Sequence, residues 1–363
     1  MFTKDSIGGK GLSIGVCLNS GEVEGNAFMS SDAGNRFDRV RLGGNRKLGE
    51  TKSRVSAREL ERFAVPAVLV VLVILFSLMI PTFRTAGNIQ SMVNSQSVIL
   101  LLAITAVITL RLGSFDLSIA AVMVASGSVV AVLSTSGYPL LIAIFGGIAL
   151  GLLVGLIQAF IVVKIGVDSF IVTLGMLTAL AGVSYAITSS RIVAGVPQPL
   201  IDFAREKFFG VPLATWYSWA AVLIAWFVFE RTPLGRHMLF IGGNINAARL
   251  AGVPVDRVRF GAFVASSTLA ALVGLVLVGQ LGAIDPGIGP QYVLPPFAAA
   301  FLGSTAFTPG RFNALGTAIA VYLLVVGITG LQLMGVESWI SSLFNGLALV
   351  LAVTLAKLAG KRR

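Results

Sequence analysis

Residues 138–163 decide the fold class, because they read YPLLIAIFGGIALGLLVGLIQAFIVV without one charged side chain. A bilayer core about 30 Å thick is crossed by roughly 20 helical residues, so this stretch is long enough to span a membrane. Backbone amides that face lipid must be paired within their own segment, which favours a helix. Similar runs recur from Val65 to the C-terminus. The sequence therefore predicts an all-α, polytopic membrane protein.

The composition of the whole chain agrees with this prediction. Of 363 residues, 56% are hydrophobic and 12% are charged, whereas soluble domains carry about 25% charged residues. The apolar runs also lack the alternation of a membrane β-barrel. We expect about ten transmembrane helices. They fall at 64–82, 96–112, 116–134, 138–163, 169–188, 213–230, 260–280, 291–307, 312–332 and 338–356.

Basic residues are distributed unevenly along a chain whose net charge is +11. With the N-terminus inside, 23 of the 27 Lys and Arg residues lie in the tail, the inner loops and the C-terminus, and 4 lie in outer loops. Positive charge concentrates on the cytoplasmic side of membrane proteins. We therefore expect a multi-pass protein of the inner (plasma) membrane with both termini cytoplasmic. This placement also argues against nucleic-acid binding.

Residues 1–62 are a different kind of sequence, rich in Gly, Ser, Asn and Arg and without an apolar run that could build a core. They are predicted to be a disordered basic cytoplasmic tail. An artefactual upstream start codon, with Met29 as one alternative start, is the other interpretation. The single Cys17 excludes an internal disulfide framework, and with His237 as the one histidine no metal cluster is expected.

An internal repeat links two distant segments. Gly166-Val-Asp-Ser-Phe-Ile171 resembles Gly335-Val-Glu-Ser-Trp-Ile340, and seven of the fifteen positions in 166–180 are identical in 335–349. The first copy opens the fifth span and the second opens the tenth, so the direction of crossing is reversed, as in many transporters. We predict an inverted repeat of spans 2–5 and 7–10. Chance similarity between two apolar helices that share an acidic residue and a serine cap is the alternative.

The long inner loop 231–259 holds the most informative sequence between spans. Helix-forming residues run from Asn246 to Ala251, with an asparagine at the front and Gly252 and Pro254 to end the helix. This pattern predicts a short surface helix, and an exposed apolar patch on it suits a protein partner. An ordinary basic loop is the other interpretation. The side chains expected on its surface are Ala247, Ala248, Arg249 and Leu250.

Several motifs resemble one family. The stretch Gly-Asn-x-x-Ala-Ala-Arg-Leu-Ala-Gly-Val at 243–253, with Thr232-Pro-Leu-Gly-Arg236 before it, resembles the cytoplasmic coupling loop of ABC sugar permeases of the ribose, xylose and galactoside type. Gly113-Ser-Phe-Asp-Leu-Ser-Ile119 resembles the Gly-Gly-Ile-Asp-Leu-Ser-Val signature of that family. Thr173-Leu-Gly-Met176 and Asn345-Gly-Leu347 also match. The similarity extends in order and spacing over residues 64–357. Its departures are Ser114, Phe115 and Ala120, which bear on the local turn and on substrate choice.

The resemblance implies that residues 63–363 are the transmembrane permease domain of an ATP-binding-cassette importer for a monosaccharide or related polyol. It implies as partners an ABC ATPase subunit, an extracytoplasmic sugar-binding protein, a second permease copy or a paralogue, and the lipid bilayer. The implied ATPase-docking residues are Gly243, Asn244, Ala247, Ala248, Arg249, Leu250 and Gly252. The signature-loop residues are Gly113, Asp116 and Ser118.

Energy for transport is expected to come from outside the chain. No Gly-x-x-x-x-Gly-Lys-[Ser/Thr] loop occurs, so this chain lacks the phosphate-binding element that ATP hydrolysis requires. The chain is therefore expected not to be an enzyme and to hold no cofactor, with ATP and Mg bound by the partner ATPase. An ion-coupled secondary sugar carrier is the alternative.

Acidic side chains bear on that alternative. A charge at the bilayer centre costs about 2.5–3.5 kcal/mol, so carriers that hold one use it for function. Asp116, Asp168, Glu230 and Glu337 all lie at the ends of predicted spans, which argues against an ion-coupled carrier. Asp116 is interpreted as an interfacial cap able to pair with Arg111, and a transport role for it is the alternative.

Polar side chains within spans are candidates for the sugar pathway. Most are expected to join helices through hydrogen bonds worth about 0.6 kcal/mol each, and Gly147, Gly151, Gly155 and Gly175 are interpreted as sites of close helix packing. The polar set is Asn94, Gln96, Thr105, Thr109, Gln158, Thr173, Ser184, Ser266, Ser267, Thr268 and Asn345. From it we select Asn94, Thr173 and Asn345 for the translocation pathway.

Overall fold

The structure, a computed structural model, describes the backbone of residues 48–361 and the side chains of residues 62–354. Of the tail predicted to be disordered, residues 1–47 lie outside the described backbone, whereas residues 48–62 belong to a helix, α1. The helices are α1 Leu48–Met79, α2 Ala86–Ser95, α3 Ser97–Leu110, α4 Ile119–Thr135, α5 Leu140–Ala159, α6 Ser169–Ile187, α7 Gln198–Arg205, α8 Leu213–Arg231, α9 Pro233–Gly243, α10 Ile245–Leu250, α11 Val255–Leu281, α12 Leu294–Gly303, α13 Ala314–Leu333 and α14 Trp339–Lys361. The strands are β1 Val193–Ala194, β2 Lys207–Phe208, β3 Val211–Pro212 and β4 Ala283–Ile284.

Each predicted span contains a helix, and seven helical segments within the described residues are long and apolar enough to cross a membrane. They belong to α1, α2 with α3, α5 with the π-helix Phe160–Ile165, α6, α8, α11 and α13. The apolar helix α4 is shorter, at 17 residues, and so is the apolar part of α14, Trp339–Thr354. The all-α, polytopic fold is confirmed.

The predicted span 291–307 differs from the others. A 3₁₀ helix, Pro286–Tyr292, is followed by α12, which has only ten residues. Ten α-helical residues rise about 15 Å, half of a bilayer core. Pro290, Pro295 and Pro296 explain the break, because proline lacks an amide donor and is tolerated only in the first turn of an α-helix. The prediction of one continuous helix over 291–307 is therefore wrong.

The most buried of the long spans is α11, which packs against α3, α4 and α5. Gly147, Gly151 and Gly155 form one face of α5 and let its backbone approach α4 and α11; a Cβ at Gly155 would lie 2.9 Å from the Cα of Val264. Small residues at this spacing are a common device for close helix packing in membranes. The packing prediction is confirmed for these three glycines. It is wrong for Gly175, which has open space around it.

The two halves of the chain repeat their elements in the same order, and the starts of equivalent helices are separated by 169 positions (α2 and α11) to 175 positions (α4 and α12). Glycines with left-handed backbone recur at an offset of 169 positions. Gly113 (φ 73°) corresponds to Gly282 (φ 70°), and Gly166 (φ 88°) corresponds to Gly335 (φ 92°). A side chain is disfavoured at such φ values, so each pair marks an equivalent turn. The shared element order and the equally spaced glycine turns support the predicted repeat.

The bundle has two ends, called here the α10 end and the far end. The α10 end holds α9, α10, the last residues of α3 and α8, and the first residues of α11 and α13. The far end holds α7 and the four strands. Gln280, at the end of α11, donates a hydrogen bond of 3.2 Å to Oδ1 of Asn94, near the start of the α2–α3 span. The two spans therefore run in opposite directions, and the repeat is inverted.

A thin layer of short elements covers the far end. Helix α7 lies between α6 and α8 in this layer. Strands β1 and β4 pair antiparallel, with Val193 opposite Ile284, and join the chain after α6 to the chain after α11. Strands β2 and β3 form a hairpin before α8. Arg205 of α7 donates a hydrogen bond of 2.7 Å to the carbonyl oxygen of Gln280.

Candidate functional site

The predicted docking segment is a short, well-capped helix, α10. Asn244 is its N-cap, and its Oδ1 accepts a hydrogen bond of 3.0 Å from the amide of Ala247. The cap therefore lies two residues before the predicted start at Asn246. Gly252 adopts φ 78° just after the helix. Arg249 forms an ion pair of 2.9 Å with Asp256, which connects α10 to the first turn of α11.

The two alanines of α10 face opposite ways. Leu250 is 91% exposed and Ala247 is also exposed, whereas Ala248 is only 2% exposed and packs into the protein. The expectation that Ala248 presents its side chain on the surface is therefore wrong. The apolar surface that α10 presents to a partner consists of Ala247 and Leu250, with the Arg249–Asp256 ion pair beside them.

Helix α9 connects the docking helix to the signature loop. A Cβ at Gly242, in the last turn of α9, would clash with the carbonyl oxygen of Arg111, and a Cβ at Gly113 would lie 3.7 Å from the carbonyl oxygen of Gly242. Gly243, by contrast, has open space around it. The backbones of α9 and of the turn after α3 are therefore in direct contact, two residues before the cap of α10.

The signature loop surrounds a buried carboxylate, that of Asp116. Its Oδ1 accepts hydrogen bonds from the amide (3.2 Å) and the hydroxyl (2.6 Å) of Ser118. Its Oδ2 accepts a hydrogen bond of 2.8 Å from Ser266 of α11. Asp116 is fully buried, and Arg111 pairs with Glu230 instead, at 3.1 Å. The predicted position of Asp116 at an open interface, paired with Arg111, is wrong.

Further polar side chains extend this network into α5 and α6. Gln158 donates a hydrogen bond of 2.6 Å to the hydroxyl of Ser118 and accepts one of 3.3 Å from Ser267. Thr173 of α6 is fully buried, and its hydroxyl donates to the carbonyl oxygen of Phe115 at 3.4 Å. Gln158, Ser266 and Ser267 thus form the interhelical hydrogen bonds expected of them. Thr173, selected for the translocation pathway, contacts the signature loop.

The other two pathway candidates lie at the far end, near a cavity of about 570 Å³ between α3, α13 and α14. Asn345 lines this cavity. Asn94 is bonded to Gln280, while the next two residues of the chain, Ser95 and Gln96, line the cavity. Among the side chains that the structure describes, no charged one lines this cavity. Its polar lining includes Gln96, Gln291, Thr329, Gln332, Ser342 and Asn345.

The structure therefore separates the sequence-predicted residues into two groups. The docking helix, signature loop and Thr173 are joined at the α10 end, and Asn94 and Asn345 lie at the far end. Sequence reasoning missed Gly242 and the true partners of Arg111. Within the described residues, no three His, Cys, Asp or Glu side chains are placed to hold a metal ion.

Comparison with known proteins identifies relatives across most of the chain. The family model described as "Branched-chain amino acid transport system / permease component" matches residues 88–353. The ribose import permease protein RbsC of Escherichia coli (strain K12) is 30% identical over 289 residues, which cover 78% of this chain and 90% of RbsC. RbsC of Bacillus subtilis (strain 168) is 31% identical over 289 residues, with coverage of 79% and 90%. The L-arabinose ABC transporter permease protein AraH of Azospirillum brasilense is 29% identical over 294 residues, with coverage of 81% and 87%. No solved structure matches the chain.

Proposed function

The chain belongs to the family of ABC-importer permease components, and on this premise we propose that it is the membrane-spanning permease subunit of an ATP-driven importer for a monosaccharide or related polyol. Residues 63–363 form its permease domain. The observation that carries this proposal is the geometry of α10. A capped helix fixed at both ends, with exposed Leu250 and Ala247, offers a rigid apolar surface to another protein.

The α10 end faces the cytoplasm in this proposal. Most Lys and Arg residues of the loops belong to that end, as expected for the cytoplasmic side of an inner-membrane protein with both termini inside. An ABC ATPase subunit docks there on Gly243, Asn244, Ala247, Arg249, Leu250 and Gly252, while Ala248 supports the helix from beneath. ATP and Mg belong to that partner, so the chain itself transmits motion and performs no hydrolysis.

Sugar enters from the far end, delivered by an extracytoplasmic binding protein. The cavity lined by Asn345 and its uncharged neighbours supplies amides and hydroxyls, which suit the hydroxyl groups of a neutral sugar. A second copy of the chain, or a paralogue, completes the transporter across exposed apolar faces such as that of α6.

The proposal is tested by uptake in proteoliposomes that contain the permease, its ATPase and its binding protein. We expect uptake of a radiolabelled monosaccharide to require ATP, to be inhibited by vanadate, and to be lost when the Walker lysine of the ATPase is replaced. Dissipating ion gradients with ionophores should leave uptake unchanged. Uptake that survives loss of ATPase activity and requires an ion gradient would establish the ion-coupled alternative, which the sequence relatives do not support.

A further inference from the structure

Arg111 is a charged side chain buried at the α10 end, just after α3. Its side chain is 1% exposed, while that of Glu230, its ion-pair partner at 3.1 Å, is 40% exposed. A buried charge must be paired and hydrogen-bonded to be tolerated. Both terminal nitrogens of the guanidinium are bonded, to α8 and to the residues just before α13, and these contacts are the basis of the inference.

Two segments besides α3 are bonded through backbone oxygens. Nη2 of Arg111 donates a hydrogen bond of 2.9 Å to the carbonyl oxygen of Phe229, near the end of α8. Nη1 donates one of 2.9 Å to the carbonyl oxygen of Phe312, just before α13. The guanidinium carbon also lies 4.8 Å from the centre of the Phe229 ring, within cation–π distance. Arg111 therefore links α3 and α8 to the start of α13, which belongs to the second half of the repeat.

The backbone of Arg111 also contacts the last turn of α9. Gly242 of α9 is in contact with the carbonyl oxygen of Arg111, and Gly235, in the first turn of α9, is in contact with Phe229. Thr232 caps α9, and its hydroxyl donates a hydrogen bond of 2.6 Å to Val228, so α8 and α9 are joined tightly. Helices α3, α8 and α9 thus form a closed triangle at the α10 end.

These contacts differ in the forces they resist. Where two backbones touch at a glycine, the helices cannot move closer together, because no flexible side chain lies between them. The same contact offers little resistance when the helices are pulled apart. Directional hydrogen bonds and the ion pair resist separation. A motion of α9 and α10 toward the bundle is transmitted by the glycine contacts, and a motion away from it requires a link under tension. The Arg111 guanidinium supplies such a link from α3 to α8, which continues directly into α9, and to the start of α13.

We propose that Arg111 is a positioning residue that makes α3 and the start of α13 follow α8, and with it α9 and α10, when the docking helix is drawn away from the bundle. The inference rests on the proposed function, since it assigns to Arg111 the return stroke of ATP-driven transport. A lysine could not replace it fully, because one ammonium cannot reproduce the planar fork of donors.

The decisive measurement is the number of sugar molecules transported per ATP hydrolysed in the complete reconstituted complex. We expect Arg111→Met to lower this ratio about tenfold, within the range of couplings between protein sites, while ATP hydrolysis continues. Arg111→Lys should give an intermediate ratio. Arg205→Met is the matched control, because it removes an arginine–carbonyl hydrogen bond at the far end, and it should leave the ratio unchanged.

A second measurement uses the permease alone and does not depend on the ATPase. Hydrogen exchange of amides in 233–250 should rise in Arg111→Met and, to a smaller extent, in Glu230→Gln, but not in Arg205→Met. Unchanged exchange in Arg111→Met, or transport and hydrolysis that fall in equal proportion, would overturn the assignment of Arg111. If wild-type uptake itself needs no ATP, the proposed function fails, while the exchange result still decides whether the link exists.

Discussion

Ser266 of α11 donates a hydrogen bond of 2.8 Å to Oδ2 of Asp116, and this bond joins the signature loop of the first half to the central helix of the second. Both residues are fully buried. The carboxylate also holds the amide and hydroxyl of Ser118, so one side chain determines the path of the chain into α4.

Replacing Asp116 by Ala should destabilise the protein by about 1–3 kcal/mol for each buried donor left unpaired. Asp116→Asn should cost less, because its amide keeps one acceptor oxygen and adds a donor to which the Ser266 hydroxyl can turn. The free energy of unfolding in detergent, measured by denaturant titration, checks this order. Equal losses for Ala and Asn would contradict the hydrogen-bond assignment.

The adjacent glycines of α9 provide a matched pair. Gly242→Ala places a methyl group against the carbonyl oxygen of Arg111 and should destabilise the protein by about 1–3 kcal/mol, the usual cost of overpacking. Gly243→Ala meets no atom and should change the free energy of unfolding by less than about 0.5 kcal/mol. Thermal unfolding of the two variants side by side is the measurement. Similar melting temperatures would show that α9 does not press on the turn after α3.

Helix packing in the core can be tested at Gly151 and Gly175. A Cβ at Gly151 would lie 2.8 Å from the carbonyl oxygen of Ser267, so Gly151→Val should sharply reduce the yield of folded protein and its melting temperature. Gly175→Val should leave both close to wild type, because open space surrounds that residue. Size-exclusion chromatography of the solubilised protein measures the yield. A comparable loss for both variants would count against the packing of α5 on α11.

Two residues of the docking helix should behave differently. Leu250→Glu should weaken co-purification of the ATPase subunit about tenfold, the effect of 1.4 kcal/mol, with no change in permease stability, because the leucine is 91% exposed. Ala248→Leu should lower stability first, because the alanine is 2% exposed and packs into the protein. ATPase retained at wild-type yield on Leu250→Glu would refute docking on this face.

A substitution in the lining of the far-end cavity should affect sugar uptake. Asn345→Leu keeps a similar volume but removes an amide from the lining, so we expect the KM for sugar uptake to rise about tenfold, equivalent to roughly one lost hydrogen bond. Leu343→Ala, on the same helix but outside the cavity lining, is the control and should leave KM unchanged. An unchanged KM in Asn345→Leu would remove this cavity from the pathway.

Much of the fold could be predicted because apolar length alone identifies membrane helices. The predicted spans other than 291–307, the docking helix and the glycine face of α5 all follow from local composition and spacing. Hydrophobicity alone could not show that the helix predicted over 291–307 is interrupted, because proline is not a charged or strongly polar residue. The four prolines between Pro286 and Pro296 were the available sign.

The site was harder to predict than the fold. Asp116 and Arg111 are five residues apart in the sequence, which makes an ion pair between them a natural expectation. Their actual partners, Ser266 and Glu230, are more than a hundred residues away and are brought close only by helix packing. Whether the side chain of Ala248 is buried or exposed likewise depends on how α10 packs against its neighbours. A helix of six residues is too short for its own hydrophobic periodicity to predict this.

The repeat has a consequence for the ancestry of the chain. Two halves that share an element order and the spacing of their glycine turns, yet cross in opposite directions, are what fusion of two copies of a half-length precursor that inserted both ways round would produce. Arg111 and Gln280 occupy equivalent positions in the two halves, and only the copy at the α10 end carries a charge. If the α10 end gained Lys and Arg residues after the two halves were fused, those charges would have fixed the direction in which the chain inserts. The arginine and the glutamine at equivalent positions would then record that the two halves were once alike.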